Sequence, residues 1–168
     1  MGEIDFQLSY VFYLAGSMTP VFIVVFLATY LIWIQGAISI LILKLKSKKY
    51  PKEIFKMLIA SSAAYALNIL IGLVFFRQRP FDAHGITALI STDHLDKSFP
   101  SSHASVAFAI ASFVYFRYKK NAIWLFALAF LVSVGRVLAG VHYLGDIAVG
   151  AVIGIFCSWL FVRFKFFS

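Results

Sequence analysis

The sequence predicts an all-α fold: a polytopic membrane helix bundle of five transmembrane helices with an N-terminal interfacial helix. Three observations predict it. Hydrophobic residues make up 62% of the chain and charged residues only 13%, a balance unsuited to a water-facing surface. Apolar runs long enough to cross about 30 Å of hydrocarbon recur along the chain, separated by short polar stretches. The cations collect in every second polar stretch, as they do in loops on the cytoplasmic side of a bilayer. With 168 residues, the whole of 1–168 reads as a single membrane-embedded domain.

Residues 4–16 mix polar and aromatic side chains and are too short to span, so they read as a helix lying in the interface. The start is acidic, with Glu3 and Asp5, and lacks the basic head of a secretory signal. Phe6 stands where a myristoylation signal needs Ser or Thr. Pro20 opens the first span, residues 20–43, and no residue from Phe6 to Leu43 is charged. Residues 44–56 read as a basic loop containing Pro51, and 57–76 as the second span. Residues 77–98 are polar and irregular. The third span, 101–116, ends at Arg117, Lys119 and Lys120. The fourth, 121–139, carries Arg136 near its end. The fifth, 145–162, opens with Asp146 and holds Gly150 and Gly154 at the spacing of close helix packing. Arg163 and Lys165 follow it. The single cysteine, Cys157, lies in an apolar run; it reads as a packing residue and excludes an internal disulfide.

With five crossings, the lysines of 44–56, the cations after the third span and those of the tail all face the cytoplasm. The net charge of +8 is then a property of those loops, not of a nucleic-acid surface. The N-terminus, the 77–98 loop and the turn between the fourth and fifth spans face outward. Three further polar clusters all fall on that outer side, although motif position and charge bias are independent readings.

Those clusters are Arg79-Pro80, then Pro100-Ser101-Ser102-His103, then Arg136 with His142 and Asp146. Ionisable groups beside membrane spans are costly and point to function. His142 and Asp146 are spaced to share a helix face, either as the His-Asp half of a catalytic triad or as a buried pair bridging two helices. Arg136 and Arg79 offer bidentate donors to phosphate, and Arg136 is equally suited to snorkelling toward headgroups. Pro100-Ser101-Ser102 marks a helix start whose unpaired N–H groups form an anion cradle, with serine capping as the plainer use. His103, on the first turn, is placed to protonate a departing oxygen. Arg77, His84 and Lys97 either contact a headgroup or solvate the 77–98 loop; solvation is the expected role of Asp93, His94 and Asp96. No histidine pair has a metal-ligand spacing such as HExxH, and two arginines aimed at one place repel a divalent cation, so neither metal nor cofactor is expected. The expected partners are the bilayer and a lipid phosphate. A transporter would use intramembrane charge as well, but residues 57–76 carry none to line a path.

Arg79-Pro80, Pro100-Ser101-Ser102-His103 and Arg136-x5-His142-x3-Asp146 together resemble the three-part signature of the type-2 phosphatidic acid phosphatase superfamily. The resemblance implies that His142 is a nucleophile forming a phosphohistidine, that Asp146 orients it, and that His103 protonates the leaving group. It implies phosphate binding by Arg79, Arg136, Ser101 and the amide of Ser102. Three positions depart from the pattern: Gly72 stands where the family has a lysine, Ser102 where it has glycine, and Gly135 where it has serine. Arg77 and Lys97 are the candidates to replace that lysine. Arg79-Pro80-Phe81 followed by Ala83-His84, without the lysine, resembles the undecaprenyl-diphosphate phosphatase branch. That likeness implies an isoprenyl diphosphate substrate on the outer face of a bacterial plasma membrane, with phosphatidylglycerophosphate, lipid A and phosphatidic acid as the alternatives.

Overall fold

The computed structural model describes residues 2–92 and 97–164, apart from the side chains of residues 120 and 121. Asp93, His94 and Asp96, read from the sequence as solvated, and Lys165, read as a cytoplasmic tail cation, lie outside the described residues. Seven helices follow one another among the described residues: α1 (Gly2–Met18), α2 (Val21–Lys46), α3 (Tyr50–Val74), α4 (Pro80–His84), α5 (Ser102–Tyr118), α6 (Leu125–Leu138) and α7 (Leu144–Arg163). A 3-10 turn, Lys119–Ala122, joins α5 to α6. No strand occurs among them.

The chain is all-helical as expected, and α2, α3 and α7 are each long and apolar enough to cross a membrane. The third and fourth expected spans are shorter, with 17 residues in α5 and 14 in α6. Two stretches read as loops contain helix. Residues 44–56 are not a loop: only 47–49 lie outside a helix, and α3 begins at Tyr50 with Pro51 in its first turn. Proline fits there because a first-turn N–H has no helical acceptor anyway. The 77–98 stretch is not wholly irregular, because Pro80 starts the short α4 in the same way.

The bundle is oily outside and polar inside. Trp33, Leu45, Leu73 and Val74 are each at least 74% exposed, whereas Gln35, Ser39, Asn68, Ser105, Ser112 and Ser158 are fully buried. Lipid tolerates the first set, and hydrogen bonding between helices satisfies much of the second. Gln35 Nε2 donates to the Ala107 carbonyl at 2.9 Å, and Ser158 Oγ to that of Ala109 at 2.7 Å.

Two close crossings set the positions that matter. On α7, a Cβ at Gly150 would lie 2.6 Å from the Ser101 carbonyl, and one at Gly154 would overlap the Ser105 carbonyl. The expected role of this glycine pair as a packing seam is what the backbones use. On α6, Gly135 touches α2, where a Cβ would meet the Ala28 nitrogen at 2.8 Å. There α2 widens into a π-helical turn, Phe26–Tyr30. Such turns recur at functional sites.

Candidate active site

The end of α3, the start of α5, the end of α6 and the start of α7 lie together at one end of the bundle. The α5–α7 seam fixes the centre: Ser101 N donates to the Asp146 carbonyl at 3.1 Å, so the Ser-Ser-His turn and the Asp146 turn are in direct contact. Ser98 N donates to the Arg77 carbonyl at 2.8 Å and ties the two ends of the long loop beside them.

His142 lies in the turn joining α6 to α7 and is 3% exposed. Its Nε2 is 3.4 Å from Arg79 Nη1. A guanidinium only donates, so Nε2 carries the lone pair and Nδ1 the proton. Nδ1 lies 3.5 Å from Asp146 Oδ2 without forming a hydrogen bond to it. This is the edge of hydrogen-bond reach, and such contacts tighten when substrate closes a site. Asp146 is fully buried and held from several sides. Oδ2 accepts from Ser98 Oγ and from Tyr143 N, the latter at 2.9 Å, while Oδ1 accepts from Arg77 Nη1 at 2.9 Å. Burial holds the His142 imidazole well below the ordinary histidine value of 6.5, at about 4; the neighbouring Asp146 carboxylate opposes this, and the charges of Arg136 and Arg79 reinforce it.

Arg79 also donates to the Val141 carbonyl at 3.0 Å, and Arg136 Nη1 to that of Ala28 at 3.3 Å, within the widened turn of α2. Both arginines are at most 6% exposed. His103 feels the charges of Arg136 and Arg79 and the ring of His142, so the four groups share one locale. Ser101 sits at the N-cap position of α5 but its hydroxyl makes no capping bond, in contrast to the expected serine cap; its buried Oγ has no partner among the described residues. Ser102 Oγ donates to Asn68 Oδ1 at 3.1 Å.

Lys97 fills the space that Gly72 leaves. A Cβ at Gly72 would overlap its Nζ, Cδ and Cε. Its ammonium donates to the Asn68 carbonyl at 2.8 Å and to Asn68 Oδ1 at 3.2 Å, next to Ser102. Arg77 instead bridges Asp146 and Asp5, with its guanidinium 3.5 Å above the Tyr143 ring. His84 is exposed and stacks on Phe6 with centroids 3.4 Å apart. Among the described residues, no three His, Cys, Asp or Glu side chains are grouped as for a metal ion.

From this centre an apolar groove of about 660 Å³ runs along the outside of α2, α3 and α5. Ser102 and His103 stand at its polar end, and Trp33, Ile40, Leu58 and Tyr65 line its length. A headgroup near His103 and a chain along the groove is the arrangement that a lipid phosphate needs, while His142 lines a separate crevice beside Phe6, Ser9, Tyr10 and Tyr13.

The pattern of the PAP2 superfamily matches residues 53–168. This chain belongs to the PAP2 superfamily. Over 143 residues, this PAP2 phosphatase is 34% identical to undecaprenyl-diphosphatase BcrC of Bacillus subtilis (strain 168), covering 85% of this chain and 74% of that protein. It is 42% identical over 65 residues to the lipid A 4'-phosphatase of Bacteroides thetaiotaomicron, 38% of this chain and 29% of that protein. Among solved structures, Aquifex aeolicus LpxE superposes with a TM-score of 0.69 at 27% identity, over 92% of this chain and 93% of that one.

Four participants of the PAP2 site escaped the sequence reading: Asp5, Asn68, Ser98 and the Ala28 carbonyl. Asn68 carried a signal, because an amide in an otherwise apolar span asks for a partner. Ser98 and Asp5 carried none, since each acts through a contact distant in sequence.

Proposed function

We propose that this protein hydrolyses undecaprenyl diphosphate on the outer face of a bacterial plasma membrane, through a phosphohistidine on His142. The observation that carries the reaction is the placement of His142, with Nε2 beside Arg79 and Nδ1 toward Asp146. Nε2 attacks phosphorus, and the bond from phosphorus to the lipid-side oxygen breaks. His103 gives that oxygen a proton. Water then attacks phosphorus, the P–N bond breaks, and inorganic phosphate leaves. Arg79, Arg136, the Ser101 hydroxyl and the Ser102 amide hold the phosphoryl oxygens, so that positioning and charge do most of the catalysis. The substrate assignment is supported by the BcrC likeness over most of the chain. The lipid A 4'-phosphatase likeness favours a lipid A phosphate as the second reading.

In this reading the chain crosses the bilayer five times, with Lys44, Lys46 and Arg117 inside and α1 in the outer interface. Phosphate release from purified protein in micelles tests the substrate. Undecaprenyl diphosphate is expected to be hydrolysed fastest, with activity unchanged by a chelator; faster release from lipid A would move the assignment, and loss to chelator restored by one ion would end the metal-independent scheme.

Lys97 takes the part of the lysine missing at position 72. Its removal in Lys97→Ala is expected to cost about 1.5–3 kcal/mol of transition-state binding, roughly ten- to a hundredfold in kcat/KM. Lys97→Ala clears the space beside Gly72, so the double change Gly72→Lys with Lys97→Ala returns an ammonium to this side of the site and restores most of that loss. A double variant no better than Lys97→Ala alone would remove Lys97 from the site.

A neutral imidazole is required for attack, and burial keeps His142 neutral down to about pH 4. The acid limb of kcat/KM assigned to His142 therefore lies near 4, not at an ordinary histidine's 6.5. Stability follows the same window. Below 6.5 the unfolded chain binds a proton that the native site refuses until about 4, so this contribution is complete above 6.5 and is lost as pH falls through the interval.

A further inference from the structure

We propose that the N-terminal helix is a working part of the active site, with Asp5 as a positioning residue that holds Arg77 and, through it, the Asp146 carboxylate. The inference rests on the proposed role of His142 and adds a component to it.

The contacts of α1 are specific. Asp5, Ser9, Tyr13 and Gly16 recur at helical spacing and form one stripe. Asp5 Oδ1 accepts from Gly145 N at 3.0 Å, and Ser9 Oγ accepts from Leu144 N at 2.9 Å. These are the first amides of α7, which have no acceptor within their own helix. Thus α1 caps the helix that carries Asp146. Three glycines mark how closely it lies. A Cβ at Gly145 would be 2.9 Å from Asp5 Oδ2, one at Gly140 would be 2.9 Å from the Tyr13 ring, and one at Gly16 would overlap the Leu138 carbonyl. Phe6, Ser9, Tyr10 and Tyr13 also enclose a crevice with His142. A helix that merely floated in the interface would need none of these fits.

Arg77 is the link. Its Nη1 donates to Asp5 Oδ2 at 2.7 Å and to Asp146 Oδ1 at 2.9 Å. The Arg77 side chain is 27% exposed, so a single carboxylate would hold it loosely against water. Asp5 on one side and the Tyr143 ring beneath fix it in place. With Arg77 fixed, Oδ1 of the buried Asp146 is occupied and Oδ2 stays turned to Ser98, Tyr143 N and His142. Without that hold, the carboxylate is restrained through Oδ2 alone and the His142 ring is less firmly oriented.

The test compares Asp5→Ala, Asp5→Asn, Arg77→Ala and the double change Asp5→Ala with Arg77→Ala, each as the full chain in detergent. Asp5→Ala is expected to lower kcat by about ten- to a hundredfold, the range for losing a group that orients a reactive side chain. KM is expected to stay within about twofold, because Asp5 touches no substrate. The larger part of the Asp5 effect on kcat should disappear in the Arg77→Ala background, since that part acts through Arg77, while the lost Gly145 contact persists and is read in the thermal midpoint. A kcat within about twofold of wild type, a loss confined to KM, or full additivity of the two changes would each overturn the proposal. If Asp5→Ala lowers the thermal midpoint too far to assay, Asp5→Asn decides by the same readings. It keeps the shape and one oxygen acceptor while losing the charge. Turnover by His142→Ala is a separate readout: its survival would end the phosphohistidine scheme whatever Asp5 does.

Discussion

Replacing His142 by alanine removes turnover and phosphoenzyme together. The expected fall in kcat is at least about 10⁴-fold, the scale seen when an enzyme loses the nucleophile of a cooperating set. Acid-labile labelling by a phosphorus-labelled lipid, present in wild type, disappears. The reason is geometric. Nε2 is the ring atom beside Arg79, and the donor-only guanidinium leaves it unprotonated. His103→Ala should behave differently. It leaves the nucleophile in place, so phosphoenzyme still forms, and the slowing is greatest for lipids whose departing oxygen most needs a proton. Equal slowing across leaving groups would remove His103 as the acid. Robust hydrolysis by His142→Ala would remove His142 as the nucleophile.

A single methyl group at position 154 is expected to disable the protein from a distance. The Cβ of Gly154→Ala would overlap the Ser105 carbonyl and lie 2.7 Å from Ala109 N, both backbone atoms of α5 that no rotamer change can clear. The helices must separate. Overpacking of this kind costs about 1–3 kcal/mol in stability. The separation also reaches the Ser101–Asp146 contact one helical turn beyond Gly150. A shift of about 1 Å there is enough to lose roughly a hundredfold in rate. Thermal midpoint and kcat measured on the same preparation check both halves. Gly36→Ala is the matched control for packing, because a Cβ at Gly36 meets nothing within 4 Å. Its midpoint should equal or exceed that of wild type. A Gly154→Ala protein as stable and active as wild type would mean that α5 and α7 do not need their close seam.

Much of the site is legible in the sequence because its chemistry is carried by rare residue types in an oily chain. Arg79, His103, Arg136, His142 and Asp146 stand out wherever such groups are expensive. Their order and spacing already name the superfamily. The glycine pair on α7 is legible for a similar reason, since small residues four apart mark a place where backbones approach. Helix ends were harder. Pro51 and Pro80 look like loop residues but start helices, because proline suits a first turn as well as it suits a break.

What the sequence determined by itself is therefore the helical membrane architecture and the set of candidate reacting groups, since both follow from hydropathy, period and residue type. What only the tertiary structure decided is who supports them. Lys97 occupies the space at Gly72, Asp5 reaches across to Arg77 and Gly145, and a widened turn in α2 brings the Ala28 carbonyl to Arg136. Each of these joins groups separated by 25 or more positions in the chain. Local pattern carries no information about such pairs; the packing of helices does, because it alone sets which buried donor meets which acceptor.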